Sequence, residues 1–379
     1  MSSQIDVIMR LTDQVTAPLV RIRNQMEQTT KITARMSRSV KDIGKQANDV
    51  GKSLLPLSAG IVAAGTASAK AFVGFDATMV AAGAKAGATA EELQAMREAA
   101  TKLGTDFPIS ASQAATGMEN LAAAGFNAKE TIGAMPSIVK AAVASGEDLA
   151  VTSSVVTSAL NVWDLKQGDI AKNTERVADV IQQAANASSM NMQDFGVALQ
   201  YVGAPAAALK VDIENVATAL AIIKNKGIDA STAGTSLRAM FTRLARPPKE
   251  AANTIAALGL QVKDAKGNFV GMESIVNQMR TSMAGLSDTE RIAHAQAIAG
   301  TEGYSALLAL IDTAPAEYKK MSDAMNSAAG SSTKQFGIMK NTVKGSIDAM
   351  MGSTESLAIN FGSVLAPSIR QAADVIGTV

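Results

Sequence analysis

"TAEELQAMREAATKLGTDFPISASQAATGMENLAAAGFNAKE" covers residues 89–130 and contains three helix starts of one kind. TAEE at 89–92, SASQ at 110–113 and NAKE at 127–130 each place a helix-capping residue three positions before Glu or Gln. In this capping box, the first side chain accepts the third helical N–H, and the Glu or Gln side chain binds back to the first residue. The stretch therefore predicts a series of short, well-delimited helices, which is typical of an all-α fold.

Glycine and proline mark other helix ends along the chain. Gly104 and Gly125 are predicted to end the first two helices, and Pro136 to kink or restart the third. Pro367 is predicted to end a single long helix over 331–365. GLQVKDAKGNFVG at 259–271 has the pattern of one short β-hairpin near 260–270. Further helices are predicted over residues 147–162, 170–187, 192–203, 213–225, 230–245, 272–284, 288–299 and 303–311.

Composition narrows the class of protein. Of the 379 residues, 47% are hydrophobic but only 3% are aromatic, and the apolar residues are rich in Ala and Met, which suit closely packed helices. The absence of cysteine excludes disulfides, thiolate metal sites and cysteine nucleophiles. A single histidine, His294, leaves little room for histidine-based catalysis. A net charge of +1 gives no overall field for nucleic acid. The sequence predicts no catalytic residue, cofactor or metal site.

Residues 15–57 keep a seven-residue spacing. Apolar residues recur at alternating intervals of four and three, as at the a and d positions of a coiled coil, for about six heptads. The basic residues of this segment lie outside that row, and no aromatic residue is interleaved for base stacking. Such regular spacing favours self-association, and packing of the helix on its own domain is the alternative. The predicted oligomer seam consists of Val15, Leu19, Ile22, Met26, Met36, Val40, Ile43, Val50, Leu54 and Leu57.

Three other local patterns have structural explanations. GKS at 51–53 lacks the glycine that a phosphate-binding loop requires five residues earlier. Glu290 lies one helical turn from His294, but a lone His beside a Glu on a surface helix is usually solvated. The uncharged stretch between Lys52 and Lys70 is short and only mildly apolar for a membrane span, which favours a helical hairpin or an interfacial segment.

Two pairs of segments resemble each other at an offset of 81 residues. Gly146 aligns with Gly227, and Asp148 aligns with Asp229, each at a predicted helix start. Pairwise identity is low, so a shared helix-hairpin pattern and a duplication into two similar helical lobes both explain the pairs. The pairs are 109–125 with 190–206, and 145–160 with 226–241.

Three segments carry a resemblance to a known family. SLLPLSAGIVAAGTASAKAFVGFDATMVAAGA at 53–84 contains Phe75, Asp76 and Met79 in an F-[ED]-x-x-M pattern. LGLQVKDAKGNFVGMESIVNQM and AIAGTEGYSALLALI follow, although Ile298-Ala299 replaces the usual aromatic residue before Gly300. In this order, the segments resemble the core of bacteriophage tail tape measure proteins, over about residues 35–365.

The resemblance implies a structural protein with no enzymatic activity. Such proteins pack as helical rods in the lumen of the virion tail, set the length of the tail tube, and leave ahead of the DNA, aiding genome passage through the host envelope. The implied partners are other copies of the chain, with a trimer favoured, the tail tube protein, tail assembly chaperones, and the baseplate or tail-tip hub. Transient contacts with membrane and DNA are also implied, after assembly in the host cytoplasm.

Two other functions stay open. A membrane-active translocator or pore-forming protein would use an amphipathic hairpin around 54–73. An enzyme such as a tail lysozyme would need an acid pair or nucleophile that the sequence lacks.

The predicted organisation has five parts. They are a coiled-coil helix (1–57), an apolar Gly/Ala-rich connecting segment (58–88), a helical core (89–258), a hairpin with helices (259–330), and a long C-terminal helix (331–379) whose pattern suggests continuation in a longer chain.

Overall fold

The computed structural model describes the backbone of residues 57–377 and the side chains of residues 68–364 and 366. This part of the chain forms sixteen helices and no β-strand, which confirms the predicted all-α fold. In chain order the helices are α1 (Leu57–Ala86), α2 (Ala90–Asp106), α3 (Ala111–Ala123), α4 (Ala128–Ser145), α5 (Leu149–Val162), α6 (Ile170–Ala187), α7 (Met192–Ala208), α8 (Ile213–Asn225), α9 (Ala230–Ala245), α10 (Lys249–Ala257), α11 (Met272–Ser282), α12 (Asp288–Ala299), α13 (Tyr304–Ile311), α14 (Pro315–Asn326), α15 (Ser331–Lys340) and α16 (Val343–Gly377).

Side-chain caps set the starts of several helices. The three capping boxes predicted in residues 89–130 are formed, and α7 and α12 begin with two more. In each box the N-cap side chain accepts the N3 backbone N–H, and the N3 side chain accepts the N-cap N–H, so that two end donors are satisfied. The N-cap residues are Thr89, Ser110, Asn127, Asn191 and Ser287.

Prolines and glycines interrupt the helices less than the sequence predicts. Pro136 lies inside α4, which continues through it with Met135 and Ile138 buried on either side. Helix α1 runs unbroken from Leu57, so the predicted hairpin before Lys70 is absent from its described part. A helical glycine costs only about 1 kcal/mol relative to alanine, which does not force a turn.

The single helix predicted over 331–365 begins at Ser331 as expected, but it is interrupted after Lys340 and does not end before Pro367. The chain turns between α15 and α16, where the Thr342 hydroxyl accepts the Gly345 N–H at 3.0 Å and donates to the Met339 carbonyl at 2.7 Å. Helix α16 then passes through Pro367 and ends at Gly377. A proline removes one helical hydrogen bond and can bend a helix without ending it.

The predicted hairpin is reduced to one antiparallel bridge between Lys263 and Phe269. In its loop, the Asp264 carboxylate accepts hydrogen bonds from the side chain and the backbone N–H of Asn268, and from the backbone N–H of Lys266. The Asn268 side chain and backbone are the main reason that the pKa of Asp264 is lowered. The carboxylate therefore organises a tight turn, and no strand extends from it in the described residues.

Helices α3 to α9 form a two-layered stack. One layer contains α3, α5, α7 and α9, and the other contains α4, α6 and α8; within each layer, every helix packs on its neighbour. The first layer's helices begin at Ala111, Leu149, Met192 and Ala230, at intervals of 38, 43 and 38 residues. Nearest-neighbour packing at a near-constant interval is the arrangement of helical repeat proteins.

The 81-residue offset corresponds to two steps of this stack. Helices α3 and α7 begin 81 residues apart, at Ala111 and Met192, and so do α5 and α9, at Leu149 and Ala230. The segments that align in the sequence are therefore structurally equivalent helices. Because α5 packs directly on α7, the two copies are consecutive parts of one stack and do not form separate lobes.

Helices α14 and α15 cover the layer of α4, α6 and α8. The carboxylate of Asp179 on α6, which is buried, accepts the Gly330 N–H at 2.6 Å and the Ser332 N–H at 2.8 Å. It therefore caps the N-terminus of α15 from another helix, where the helix dipole favours a negative charge. This hydrogen-bonded carboxylate fixes the position at which the chain turns from α14 into α15.

The chain divides into two compact units. The larger unit covers Gly74–Leu357 and contains the stack with α2 and α10 to α15. The smaller unit contains the first part of α1, up to Val73, and the part of α16 from Ala358 onward. Within it, α1 and α16 approach closely, because a Cβ atom at Gly362 would lie 2.5 Å from the Ser68 carbonyl oxygen and the Phe72 Cβ.

Candidate interaction surface

Nine of the ten predicted seam residues, from Val15 to Leu54, lie outside the described residues. Leu57 is the first residue of α1, and its backbone is described. The row of seven-residue intervals from Leu54 continues into α1 through residues that become buried there: Ser68, Phe75 and Ala82. The spacing that predicts the seam thus marks the packed face of α1 as well.

The family-like residues of α1 have a structural role. Phe75 and Met79 are buried, and the Asp76 carboxylate lies 2.6 Å from an Arg97 guanidinium nitrogen of α2. The third family-like segment, at 297–311, is also held by contacts between helices. Arg243 donates to the Ile298 carbonyl at 2.9 Å, at the C-terminal end of α12, where a cation is favourable.

A second arginine acts in the same way at the end of α13. Arg280 Nε donates to the Ile311 carbonyl at 3.0 Å, and its Nη2 donates to the Thr313 carbonyl at 2.7 Å. Arg291 from α12 forms an ion pair with Asp312 at the same end. Arg243 and Arg280 thus satisfy carbonyls that a helix end leaves without intrahelical partners, and Arg291 adds an ion pair, so all three arginines have a structural role.

The one candidate acid–base pair is part of a cap. The Glu290 carboxylate accepts hydrogen bonds from the Ser287 hydroxyl and N–H, at 2.7 and 2.9 Å. These bonds are the main reason that the pKa of Glu290 is lowered, and the charge of His294 contributes less. In the described part of the chain, His, Asp and Glu side chains form no group of three that could hold a metal ion.

Among the described residues, no helix is both long and apolar enough to span a bilayer.

The part of α16 that belongs to the larger unit, up to Leu357, packs on its neighbours through small residues. A Cβ atom at Gly352 would collide with the carbonyl oxygen of Ile109, and Ser356 is buried with its hydroxyl 3.4 Å from the Thr101 carbonyl oxygen. Glu355 accepts the Ser112 N–H at 3.2 Å, at the N-terminus of α3. The small residues allow the backbone of α16 to lie directly against its neighbours.

The opposite side of α16 carries large apolar side chains in solvent. Val343 is 79% exposed, Ile347 47%, Met350 64% and Leu357 60%. With exposed Thr354, they are spaced by four, three, four and three residues; these five residues are called the α16 row. Met351, 62% exposed, lies beside the row. Exposed apolar residues are common singly, but a continuous row of them on one helix marks an interaction surface.

Sequence reasoning missed the α16 row. The residues Gly345, Gly352 and Ile359 have the same seven-residue interval as Val343, Met350 and Leu357. The spacing therefore could not tell which side of the helix would be buried, and the contact at Ile109 that decides it is distant in the sequence.

The described residues thus define a helical repeat protein with capped helices and an exposed apolar row on α16. The family described as phage-related minor tail protein matches residues 97–300. A tape measure protein of Pneumococcus phage Dp-1 is 34% identical over 93% of this chain and 30% of its own length. The chain belongs to the phage tape measure protein family.

Two more distant relatives carry the same description. A probable tape measure protein of Escherichia phage P2 is 24% identical over 70% of this chain and 32% of its own length. Another, of Clostridium phage phiCD119, is 21% identical over 98% of this chain and 40% of its own length. The chain thus spans about a third of the length of these relatives. No solved structure matches it.

Proposed function

We propose that this chain is part of a tape measure protein that sets the length of a phage tail. The identity of 34% to a tape measure protein, over 93% of the chain, is the observation that carries the proposal. The helical architecture of the described residues supports it, because a helix converts residue number into length at about 1.5 Å per residue.

The ruler function requires a more extended form than the stack. One continuous helix of 379 residues would span roughly 570 Å. The capping boxes and left-handed glycines favour separate helices in the isolated chain. We expect the stack in isolation and extended helices inside a tail tube, where the surrounding wall replaces contacts between helices.

The proposed surroundings follow from that function. The chain lies in the tail lumen, contacts the tail tube protein and a baseplate or tail-tip hub, and is coated by tail assembly chaperones during assembly in the host cytoplasm. It leaves ahead of the DNA and contacts membrane and DNA transiently. The predicted seam over residues 15–57 joins copies of the chain into an oligomer, for which a trimer is favoured.

The length of assembled tails tests the proposal. Deleting residues 111–148, which contain α3 and α4, removes one 38-residue step of the stack and joins α5 to the end of α2. In the phage that encodes this chain, the deletion should shorten tails by about 57 Å, at about 1.5 Å for each residue. Tail length is measured on negatively stained particles.

A tandem duplication of residues 111–148 is the matched control. It keeps both helices and should lengthen tails by the same amount. Tails of unchanged length in both variants would refute the ruler function.

A further inference from the structure

Helix α15 is held on the stack by very little apolar surface. Of the ten residues that the structure describes in this helix, only Ser332 is buried, and Ile338 is 56% exposed. The Phe336 ring is half-buried against Phe107, with 5.5 Å between the ring centroids. Because burial of apolar surface is the main force that holds a helix on its neighbours, α15 is weakly docked on α4 and α6.

Polar groups join α15 to α6. The Asp179 carboxylate, which is 2% exposed, receives both of its hydrogen bonds among the described residues from backbone N–H groups at the start of α15. The Ser331 hydroxyl donates to Gln183 Oε1 at 2.9 Å. Gln182 Oε1 and Ser332 Oγ are buried without a partner in the described part of the chain. This contact gives little net stability, because water would bind all of these groups if α15 moved away.

The helices on either side of α15 are anchored more firmly. On α14, the side chains of Tyr318 and Met325 are buried. On α16, the backbone at Gly352 lies against the Ile109 carbonyl oxygen. Gly330, which has a φ of 82°, precedes α15, and the turn at residues 341–342 follows it, so a change of direction can be taken up at both ends. Residues 330–342 are called the lid.

The turn between α15 and α16 contains no residue that forces it. Residues 338–344 include neither glycine nor proline, and the helical pattern of the sequence continues through them. The turn is closed by Thr342, whose hydroxyl bonds to the backbone on both sides. If α15 left α6, the helical hydrogen bonds that the turn interrupts could form. They would join α15 and α16 into one helix of about 70 Å, from Ser331 to Gly377.

We propose that the lid is a conformational device, which opens from α4 and α6 by releasing Asp179 and lets α15 continue into α16 as a single helix. The stack keeps the contacts between its neighbouring helices α3 to α9, because the lid is not one of its repeats. The purpose of the opening, as the first step toward the extended form, rests on the proposed function, whereas the opening itself does not.

Cysteine labelling of the full native chain measures the opening, because the chain has no cysteine of its own. Ser332→Cys places a buried thiol on α15 and keeps the backbone N–H that binds Asp179. Ser153→Cys, which is buried on α5 inside the stack, is the matched control. A soluble aromatic disulfide reagent should label Ser332→Cys at least about tenfold faster than Ser153→Cys, since only the lid must open. Equal rates would mean that the lid opens only when the whole stack unfolds.

Asp179→Asn tests whether the carboxylate holds the lid closed. The amide offers one accepting oxygen to two N–H groups, so labelling of Ser332→Cys should rise at least about tenfold, while labelling of Ser153→Cys should change less than about twofold. Asp212→Asn, at an exposed aspartate without a cap bond, should change neither rate. Equal acceleration at both cysteines would mean that Asp179 stabilises the whole fold and does not control the lid, and an unchanged rate at Ser332→Cys would also overturn the proposal.

Val343→Pro tests whether the released α15 joins α16. Val343 is the first residue of α16, where proline is tolerated, but inside one continuous helix proline would remove a hydrogen bond and clash with the preceding turn. The variant should therefore slow labelling of Ser332→Cys at least about tenfold. Val343→Ala, at a position that is helical in both forms, should change the rate less than about threefold.

Unchanged or faster labelling with Val343→Pro would refute the joining of the two helices. All of these rates are measured on the isolated chain, so a failure here leaves the ruler function, which is tested by tail length, unaffected.

Discussion

The two repeats of the stack, α3–α5 and α7–α9, make the same corner with different residues. In the first, Gly125 has a φ of 86° and the Phe126 N–H donates to the Leu121 carbonyl at 3.1 Å. In the second, Lys210 has a φ of 57° and the next N–H, of Val211, makes the equivalent bond at 2.9 Å. The corner is a helix-ending motif that glycine adopts easily and other residues adopt only at a cost.

The corner lies later in the second repeat than in the first, and the packing of the stack is the same in both. Helix α7 has 17 residues where α3 has 13, and α8 has 13 where α4 has 18. An extra turn in one helix is thus nearly offset by a shorter helix after the corner. Because about one full turn was shifted, the same helix faces stay buried and α5 and α9 begin in phase.

In both repeats a glycine allows two helices of the first layer to pack closely, but this glycine lies on a different helix of the pair in each repeat. Gly117 on α3 lies opposite Ser153 on α5, while the equivalent residues of α7 and α9 are Ala198 and Gly234. Each pair therefore contains one glycine, on opposite partners. The comparison teaches that the stack constrains the spacing between helices more strongly than the residue at any one position.

Truncating the apolar residue after each corner should give the largest effect. Phe126→Ala should lower the free energy of unfolding by about 3–5 kcal/mol, because the ring is buried and leaves a large cavity. Val211→Ala removes only two methyl groups from an equally buried position and should cost about 1–3 kcal/mol. Urea unfolding followed by circular dichroism measures both free energies. If the two positions are packed equivalently, the larger side chain should give the larger loss, so equal losses would contradict that equivalence.

Replacing the two contact glycines, Gly117 and Gly234, with alanine should give the next largest loss of stability. A Cβ atom at Gly234 would lie 2.5 Å from the Ala198 carbonyl oxygen, which is backbone and cannot rotate away. Gly234→Ala should therefore cost about 1–3 kcal/mol. At Gly117 the nearest atom is the flexible Met135 Cε, at 3.0 Å, so Gly117→Ala should cost less than about 1 kcal/mol.

The same urea unfolding measurements test the order of these two variants. If Gly117→Ala were the more destabilising, the close backbone contact would belong to α3 and α5, and the assignment of the exchanged glycine would be wrong.

Removing the N-cap side chains of α4 and α8 should change stability by smaller and unequal amounts. Asn127 closes a capping box with Glu130, so Asn127→Ala should cost about 1 kcal/mol. Asp212 makes no side-chain cap bond at α8, and Asp212→Ala should change stability by less than about 0.5 kcal/mol. Thermal unfolding of the two variants provides the measurement, and a larger loss at Asp212 would reverse the comparison.

The smallest expected effect is the loss of stability in acid that comes from Asp229, the N-cap residue of α9. Thr232, through its hydroxyl and N–H, and the Ser231 hydroxyl donate to the Asp229 carboxylate and lower its pKa. A lowered folded-state pKa adds stability above the unfolded value of about 3.9, and that stability is lost as the pH falls below it. Asp229→Asn keeps a capping oxygen but does not titrate. Unfolding at pH 5 and pH 3 should show a smaller acid loss in the variant, and an equal loss would exclude this contribution.

Local patterns predicted the fold well where helix ends carry their own signals. The boxes at Thr89, Ser110 and Asn127 were predictable because their partners lie within three residues. Helices α10 and α14 were not predicted, although Pro248 and Pro315 mark their starts. Both are amphipathic helices without side-chain caps, so their formation depends on what they pack against.

The sequence by itself determined the helical class, most helix starts and the seven-residue spacings, because each depends on residues close together in the chain. Only the tertiary structure decided that Asp179 caps α15 and that Gly352 lies against Ile109. The second contact turns the small side of α16 inward and leaves Met350 in solvent. Periodicity defines the faces of a helix, but the buried face is chosen by partners far away in the sequence.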